Sequence, residues 1–238
     1  GKLAMGTGDV AGSGNIGLGT SALVAMTAGS NNIAMGLSSS DALLTGTDNI
    51  AIGRLSLSAS TDGANNIAIG ESALAVSIND GDNNIAIGKT AMGGSDVSGA
   101  SNVAIGVNAA DALLAGSYNI AMGLNALGAS TTACLNIAIG QLALGAGVLA
   151  CGGAGQAEGN IAIGESALTA MTTGSNNTGI GPFAGDAITV GTDNIAIGQL
   201  ALSAATTNLD NIAIGRSALA VSADDGDLNI AIGQAALG

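Results

Sequence analysis

The sequence predicts an all-β protein, a parallel β-solenoid of about 14 coils with a repeat of 17–18 residues and two short strands in each coil. Three observations lead there. The string Asn-Ile-Ala-Ile-Gly recurs with few changes along all 238 residues. Most repeats carry two glycines at fixed places, and each would cost about 1 kcal/mol inside a helix. Between the glycines, the Ile-Ala-Ile segment alternates with period two, as a strand with unlike faces does.

The asparagines stand at positions 15, 32, 49, 66, 84, 102, 119, 136, 160, 177, 194, 211 and 229. Eight of the twelve intervals are 17 residues, three are 18, and the one from Asn136 to Asn160 is 24. A fourteenth copy is read at Leu3-Ala4-Met5-Gly6, with Lys2 in the asparagine place. With asparagine as position 0, position 1 is Ile in eleven copies, position 2 is Ala or Gly in all thirteen, position 3 is Ile, Leu or Met, and position 4 is always Gly. Position 7 is Ala in eleven copies and Ser in two, and position 8 is Leu in nine. Gly stands three places before the asparagine in ten of thirteen copies. Each unit reads as a short strand, a glycine turn, a second short strand over the Ala-Leu segment, and a turn back. The array forms one continuous domain over 1–238, with an enlarged loop within 145–159.

Successive strand residues face opposite sides. Positions 1 and 3 are assigned to the interior, which places position 2 outside and lays a row of Ala and Gly along the surface. A wet strand of alanine is a poor choice for β structure, so the row is expected to contact another chain, and a copy of the same chain is the expected partner. A coil of this size cannot pay for its own ordering, and stability must come from stacking on neighbours.

Composition removes many functions. The chain has 40 glycines, 47 alanines and no histidine, so imidazole catalysis and histidine-ligated zinc are excluded. Two cysteines cannot make a four-thiolate centre. Four basic residues (Lys2, Arg54, Lys89, Arg216) against 17 acidic ones give a net charge of −13, which repels a phosphate backbone, so no nucleic-acid partner is expected. No apolar stretch is long enough to span a membrane. The chain opens directly on a repeat, with no secretory leader read. Tyr118 and Phe183 are its only aromatics.

The string Asn-Ile-Ala-Ile-Gly followed by x-x-Ala-Leu resembles the YadA-like head repeats of trimeric autotransporter adhesins, and related strings occur in phage tail-fibre proteins. The resemblance runs from Leu3 to Leu237. It implies a left-handed parallel β-roll with three chains packed side by side, at a cell or virion surface, binding host surfaces or matrix proteins. The 17-residue repeat is longer than that family's, which implies a longer second turn, and no neck, coiled-coil stalk or anchor is read after the array.

No catalytic residue, cofactor or metal ligand is read from the sequence, and the chain is expected not to be an enzyme. The candidate residues are structural. Asparagines 32, 49, 66, 84, 102, 119, 136, 160, 177, 194 and 211 (Asn32, Asn49, Asn66, Asn84, Asn102, Asn119, Asn136, Asn160, Asn177, Asn194, Asn211) are read as a ladder of stacked amides, because asparagine tolerates turn geometry and bonds to its own kind along a stack. Cys134 and Cys151 lie 17 residues apart, one ordinary coil. They can form a disulfide if the extra residues of the long interval follow Cys151, as Gly152-Gly153-Ala154-Gly155 suggests, and cannot if the excess precedes it. Arg54, Glu71 and Lys89 share position 5 on consecutive coils and are expected to neighbour one another in solvent.

Other signals carry blander readings. Gly17-Leu18-Gly19-Thr20-Ser21-Ala22 and Gly179-Ile180-Gly181-Pro182-Phe183-Ala184 fit a loose dinucleotide fingerprint only because position 2 is Gly in those copies. Asp80-Gly81-Asp82 and Asp224-Asp225-Gly226-Asp227 read as solvated acidic turns in preference to calcium sites. Asn176 begins a weak glycosylation sequon.

The expected function is an extracellular structural or adhesive fibre segment, an adhesin head or tail-fibre shaft that acts as a rigid spacer and binding surface. A self-polymerising filament subunit and an ice-binding solenoid are the alternatives. Ice binding calls for a regular threonine row, and the threonines read as scattered among the turns.

Overall fold

A computed structural model describes residues 4–5, 11–77, 81–151, 157–221 and 226–237. It divides into two compact units, Gly1–Ser117 and Tyr118–Gly238. The first carries six three-residue strands: β1 (Ile16–Leu18), β2 (Ile33–Met35), β3 (Ile50–Ile52), β4 (Ile67–Ile69), β5 (Ile85–Ile87) and β6 (Val103–Ile105). The second carries seven: β7 (Ile120–Met122), β8 (Ile137–Ile139), β9 (Ile161–Ile163), β10 (Thr178–Ile180), β11 (Ile195–Ile197), β12 (Ile212–Ile214) and β13 (Ile230–Ile232).

Within each unit every strand pairs in parallel with the next, like residue on like. Ile50 lies against Ile67, Ala51 against Ala68, and Ile52 against Ile69. The same register holds across the 24-residue interval, where Ala138 pairs with Ala162. Each unit is thus a β-solenoid, and no helix occurs among the described residues.

The strand faces are the reverse of the expected ones. Position 2 points inward: Ala34, Ala51, Ala68, Ala86 and Ala104 in the first unit, and Ala121, Ala138 and Ala162 in the second, are all 0% exposed. Positions 1 and 3 point outward and are half-buried or exposed on every strand. Parity explains the inversion. Positions 0 and 2 share a face, and eleven of the thirteen asparagines at position 0 are buried, Asn15 and Asn229 being half-buried, so alanine goes in with them and isoleucine goes out. The opposite wall is already filled by the buried residues at positions 7 and 8, such as Ala73 with Leu74 and Ala167 with Leu168. Little more than a methyl group fits between the walls.

The expected second strand is absent. Residues 5 to 8 of each coil alternate in the sign of φ, positive at positions 6 and 8, as in Ser72 (57°) and Leu74 (48°) or Ser166 (54°) and Leu168 (49°). This segment is a run of turns. It remains hydrogen-bonded between coils: Leu55 N donates to the Leu37 carbonyl at 2.9 Å, and Leu57 N to the Ala73 carbonyl at 2.9 Å. One donor points to the preceding coil and the other to the following coil. The backbone ladder therefore continues, but with folded dihedrals that turn the chain within a few residues.

The glycine at position 4 is needed for conformation and for space. Gly36 has φ of 141°, and a Cβ there would collide with the Gly53 carbonyl one coil on. Only glycine enters this region at little cost.

Candidate functional site: the outward sheet face and the ladders beneath it

Four columns of side chains point out of each unit. Positions 1 and 3 form the aliphatic centre, and positions −1 and 5 form its two rims. In the first unit the centre runs from Ile16 and Leu18 through Ile52 and Ile69 to Val103 and Ile105. In the second it includes Ile120, Met122 and Ile163, each more than a third exposed. Isolated surface aliphatics are ordinary, but aligned columns rimmed by polar groups are the pattern of a contact surface.

Rim position 5 carries the charged strip. Arg54 is hydrogen-bonded to Glu71, and Lys89 Nζ lies 3.8 Å from the other carboxylate oxygen of Glu71. The Arg54 guanidinium, by hydrogen bond and by charge, and then the Lys89 ammonium hold the Glu71 carboxyl below its usual range. All three side chains are substantially solvent-exposed. Rim position −1 is polar along most of its length, with Asn31, Asp48 and Asn65 all in the left-handed region at φ of 59°. Asn and Asp tolerate that conformation. At the start of the second unit the same place holds Tyr118 and Leu135, which adopt it with φ of 61° and 59° and are 64% and 54% exposed.

Beneath this face the asparagines fix the strands. In the first unit Asn49 N and Nδ2 both donate to Oδ1 of Asn32, at 3.1 and 3.0 Å. Asn49 Nδ2 also donates to the Gly63 carbonyl at 2.7 Å. The pattern repeats from Asn15 through Asn32, Asn49, Asn66 and Asn84 to Asn102. In the second unit it runs from Asn119 through Asn136, Asn160, Asn177, Asn194 and Asn211 to Asn229. Each amide thus meets the coil before through its NH groups and the coil after through both its oxygen and its Nδ2. The recurrent glycine at position −3 receives this amide. A Cβ on Gly46 would lie 2.5 Å from Leu43 and 3.1 Å from Asn49 Nδ2.

Cys134 and Cys151 are joined by a disulfide with Cα atoms 5.7 Å apart. Thr132 bridges to Ala150 while Cys134 bridges to Glu158, so most of the long interval's excess falls between 150 and 158. The Ala157 N donates to the Ala150 carbonyl at 2.8 Å. Cys151 therefore stacks beside the Cys134 coil.

The remaining sequence signals fall on turns. Asp82 Oδ1 accepts from Ala64 N at 2.7 Å, and Asp227 Oδ1 from Leu209 N at 2.8 Å, so both acids are engaged by backbone. No group of three metal-ligating side chains occurs among the described residues. The Gly17 and Gly179 motifs are strand ends followed by turns. Asn176 is exposed on rim −1. Thr172, Thr189 and Thr206, expected to scatter, share one row on successive coils, but the hydroxyls of Thr172 and Thr189 each donate to the next coil's carbonyl at 3.0 Å. Lys2, Leu3, Gly6, Asp80, Gly152-Gly153-Ala154-Gly155, Asp224 and Asp225 lie outside the described residues.

Sequence reasoning missed the aliphatic face, although two signals pointed to it. A position that never exceeds alanine marks a tight interior, and a buried asparagine fixes the parity of the residues that follow. Among the described residues there is no pocket, and no helix is long and apolar enough to cross a membrane. Comparison with family models, curated proteins and solved structures gives no match for this chain.

Proposed function

We propose that the chain is a segment of an extracellular structural or adhesive fibre in which parallel copies, three side by side, pack through their outward sheet faces. The observation that carries this reading is the pair of aligned aliphatic columns at positions 1 and 3, rimmed on both sides by mostly polar residues. Pairing such faces removes apolar surface from water along the length of a unit, at about 25 cal/mol per Å². The number three comes from the resemblance of the repeats to YadA-like heads. In this reading the chain does mechanical work: it spaces and presents side chains at a cell or virion surface, it performs no catalysis, and it needs no cofactor. A host-surface or matrix receptor would engage residues outside the packed face.

Sedimentation equilibrium of the purified chain at micromolar concentration tests the reading. The expected mass is three times 22.3 kDa. Replacing outward Ile52, Ile69, Ile139 and Ile163 by Ser should release monomers that keep their far-UV circular dichroism. A wild-type chain that stays monomeric would overturn the proposal.

A further inference from the structure

We propose that the two rims of the outward face recognise each other between copies, and that Arg54 with Asp48 and Arg216 with Asp210 set the copies in register, coil on like coil. The inference rests on the packing of copies proposed above and adds what aligns them. Both arginines of the chain stand at position 5 of a coil whose position −1 is aspartate: Asp48 and Arg54 flank β3, and Asp210 and Arg216 flank β12. All four side chains are exposed. One lies on each rim, separated by the aliphatic columns, so the two members of each coil's pair face away from one another across the sheet.

Within each unit, rotation about an axis along its own stack brings the −1 rim of one copy beside the 5 rim of the next, at the same coil level. Copies turned end over end bring like rim to like rim. Only the first arrangement sets each arginine against an aspartate. Three further coils agree with it, whereas Leu37 with Asn31, Val107 with Ser101, Gln141 with Leu135 and Gln234 with Leu228 carry no preference. In register, Glu71 would meet Asn65 and Lys89 would meet Asn83, while Leu124 would meet Tyr118, the apolar member of one rim against the apolar member of the other. A slip of one coil in one direction sets Glu71 against Asp48 and leaves Arg54 with Asn31, so the first unit loses its pair and gains a like-charge contact, although Arg216 then meets Asp193 in the second unit. A slip in the other direction sets Arg54 against Asn65 and Arg216 against Leu228, so both pairs are lost.

This matters because the aliphatic columns are nearly identical at every coil and cannot themselves define a register. The rims vary, and charge complementarity at an interface supplies specificity. Within one chain Arg54 is held by Glu71 and Asp48 Oδ1 accepts from Asn31 Nδ2 at 3.1 Å, so both are already oriented along their rims. Arg216 has no ion pair among the described residues.

The test uses the full chain with Arg216→Glu, the reversed pair Asp210→Arg with Arg216→Glu, and the control Asp62→Asn, an exposed acid in a turn on neither rim, each checked for native circular dichroism. The concentration of half-assembly is read by sedimentation at low and high salt. Arg216→Glu should raise it about tenfold or more at low salt, the reversed pair should restore it, and Asp62→Asn should leave it near the wild-type value. If the wild-type chain assembles and Arg216→Glu assembles equally well, or the reversed pair fails to restore assembly, the register inference is overturned while the packing face stands. A monomeric wild-type chain overturns the face and the register together.

Discussion

Ile137 and Ala138 are neighbours in β8, yet Ala138 is wholly enclosed and Ile137 sits partly open beside its counterparts on the adjoining strands. The larger and more hydrophobic residue is the one nearer water. Inside, the limit is volume: Asn136, Ala143 and Leu144 also lie buried in that coil, and the walls leave room for a methyl group. Outside, nothing in the chain limits size, and the columns have grown to Ile, Met and Val. The inward face is selected to close one coil on itself, and the outward face is available to another body. Hydrophobicity alone therefore misplaces the strand, whereas residue size places it correctly.

The largest expected effect on the inward face is loss of an asparagine. Asn177 donates to Asn160 Oδ1 at 3.1 Å and to the Gly191 carbonyl at 2.7 Å, and its Oδ1 accepts from Asn194 N at 3.1 Å. Asn177→Ala leaves several of these buried groups without partners, each costing about 1–3 kcal/mol. A loss of about 3 kcal/mol or more in urea unfolding is expected. A loss under about 1 kcal/mol would show that water replaces the amide and that the ladder is not what fixes parity.

The disulfide comes next. Cys134 and Cys151 are 17 residues apart in sequence, and closing a loop of that length stabilises by about 3 kcal/mol in the chain-entropy account. The Cys134→Ser, Cys151→Ser double variant should lower stability by roughly that amount, read as a shift in the urea midpoint of the full chain. An unchanged midpoint under otherwise identical conditions would show that the backbone bond of Ala157 to Ala150 suffices without the disulfide.

The two faces can then be compared directly. Ala138→Val forces two more methyl groups into a filled interior and should cost about 1–3 kcal/mol. Ile137→Thr, one residue away, should change monomer stability by about 0.5 kcal/mol and act instead on association. Equal costs would show that the two faces do not differ in available volume.

The fold class could be read from the sequence because its cause is local and repeated: Gly36 and its equivalents permit one sharp turn, and the period of 17 brings like residues together. The direction of the strand faces could also be read, from the fixed Ala or Gly at position 2, but the general preference for burying Ile points the other way. The turns at positions 6 and 8 were hidden for a different reason. Leu74 and Leu168 occupy the left-handed region, which leucine disfavours when isolated, and only the coil-to-coil hydrogen bonds around them make it tolerable. The sequence of a single coil contains no sign of that compensation. The placement of Asp48 and Arg54 on opposite rims of one coil becomes visible only after the outward columns are assigned.

The smallest expected effects are in pH dependence, and they take opposite signs on the rim and on the coil wall. Glu71 has its pKa lowered from 4.5 by the Arg54 hydrogen bond and charge and by Lys89. A depressed carboxylate contributes stability that is present above pH 4.5 and is lost as pH falls through the folded-state value. Asp186 has its pKa raised from 3.8, chiefly by burial, with its own and the Ala187 backbone NH opposing; its Oδ1 is buried without a hydrogen-bond partner. Here the folded chain takes up the proton first, so stability rises as pH falls through the raised value and levels off below 3.8. Glu71→Gln should remove the acid-side loss, and Asp186→Asn should remove the acid-side gain while stabilising the protein near neutral pH. Urea midpoints measured from pH 7 to 3 check both. Because Glu71 is solvent-exposed in the single chain, its contribution below the concentration of assembly should also shrink in high salt while that of Asp186 persists. A Glu71 effect that survives high salt would mean that the rim is shielded from solvent, as it would be if the Arg54 strip were covered by a neighbouring copy.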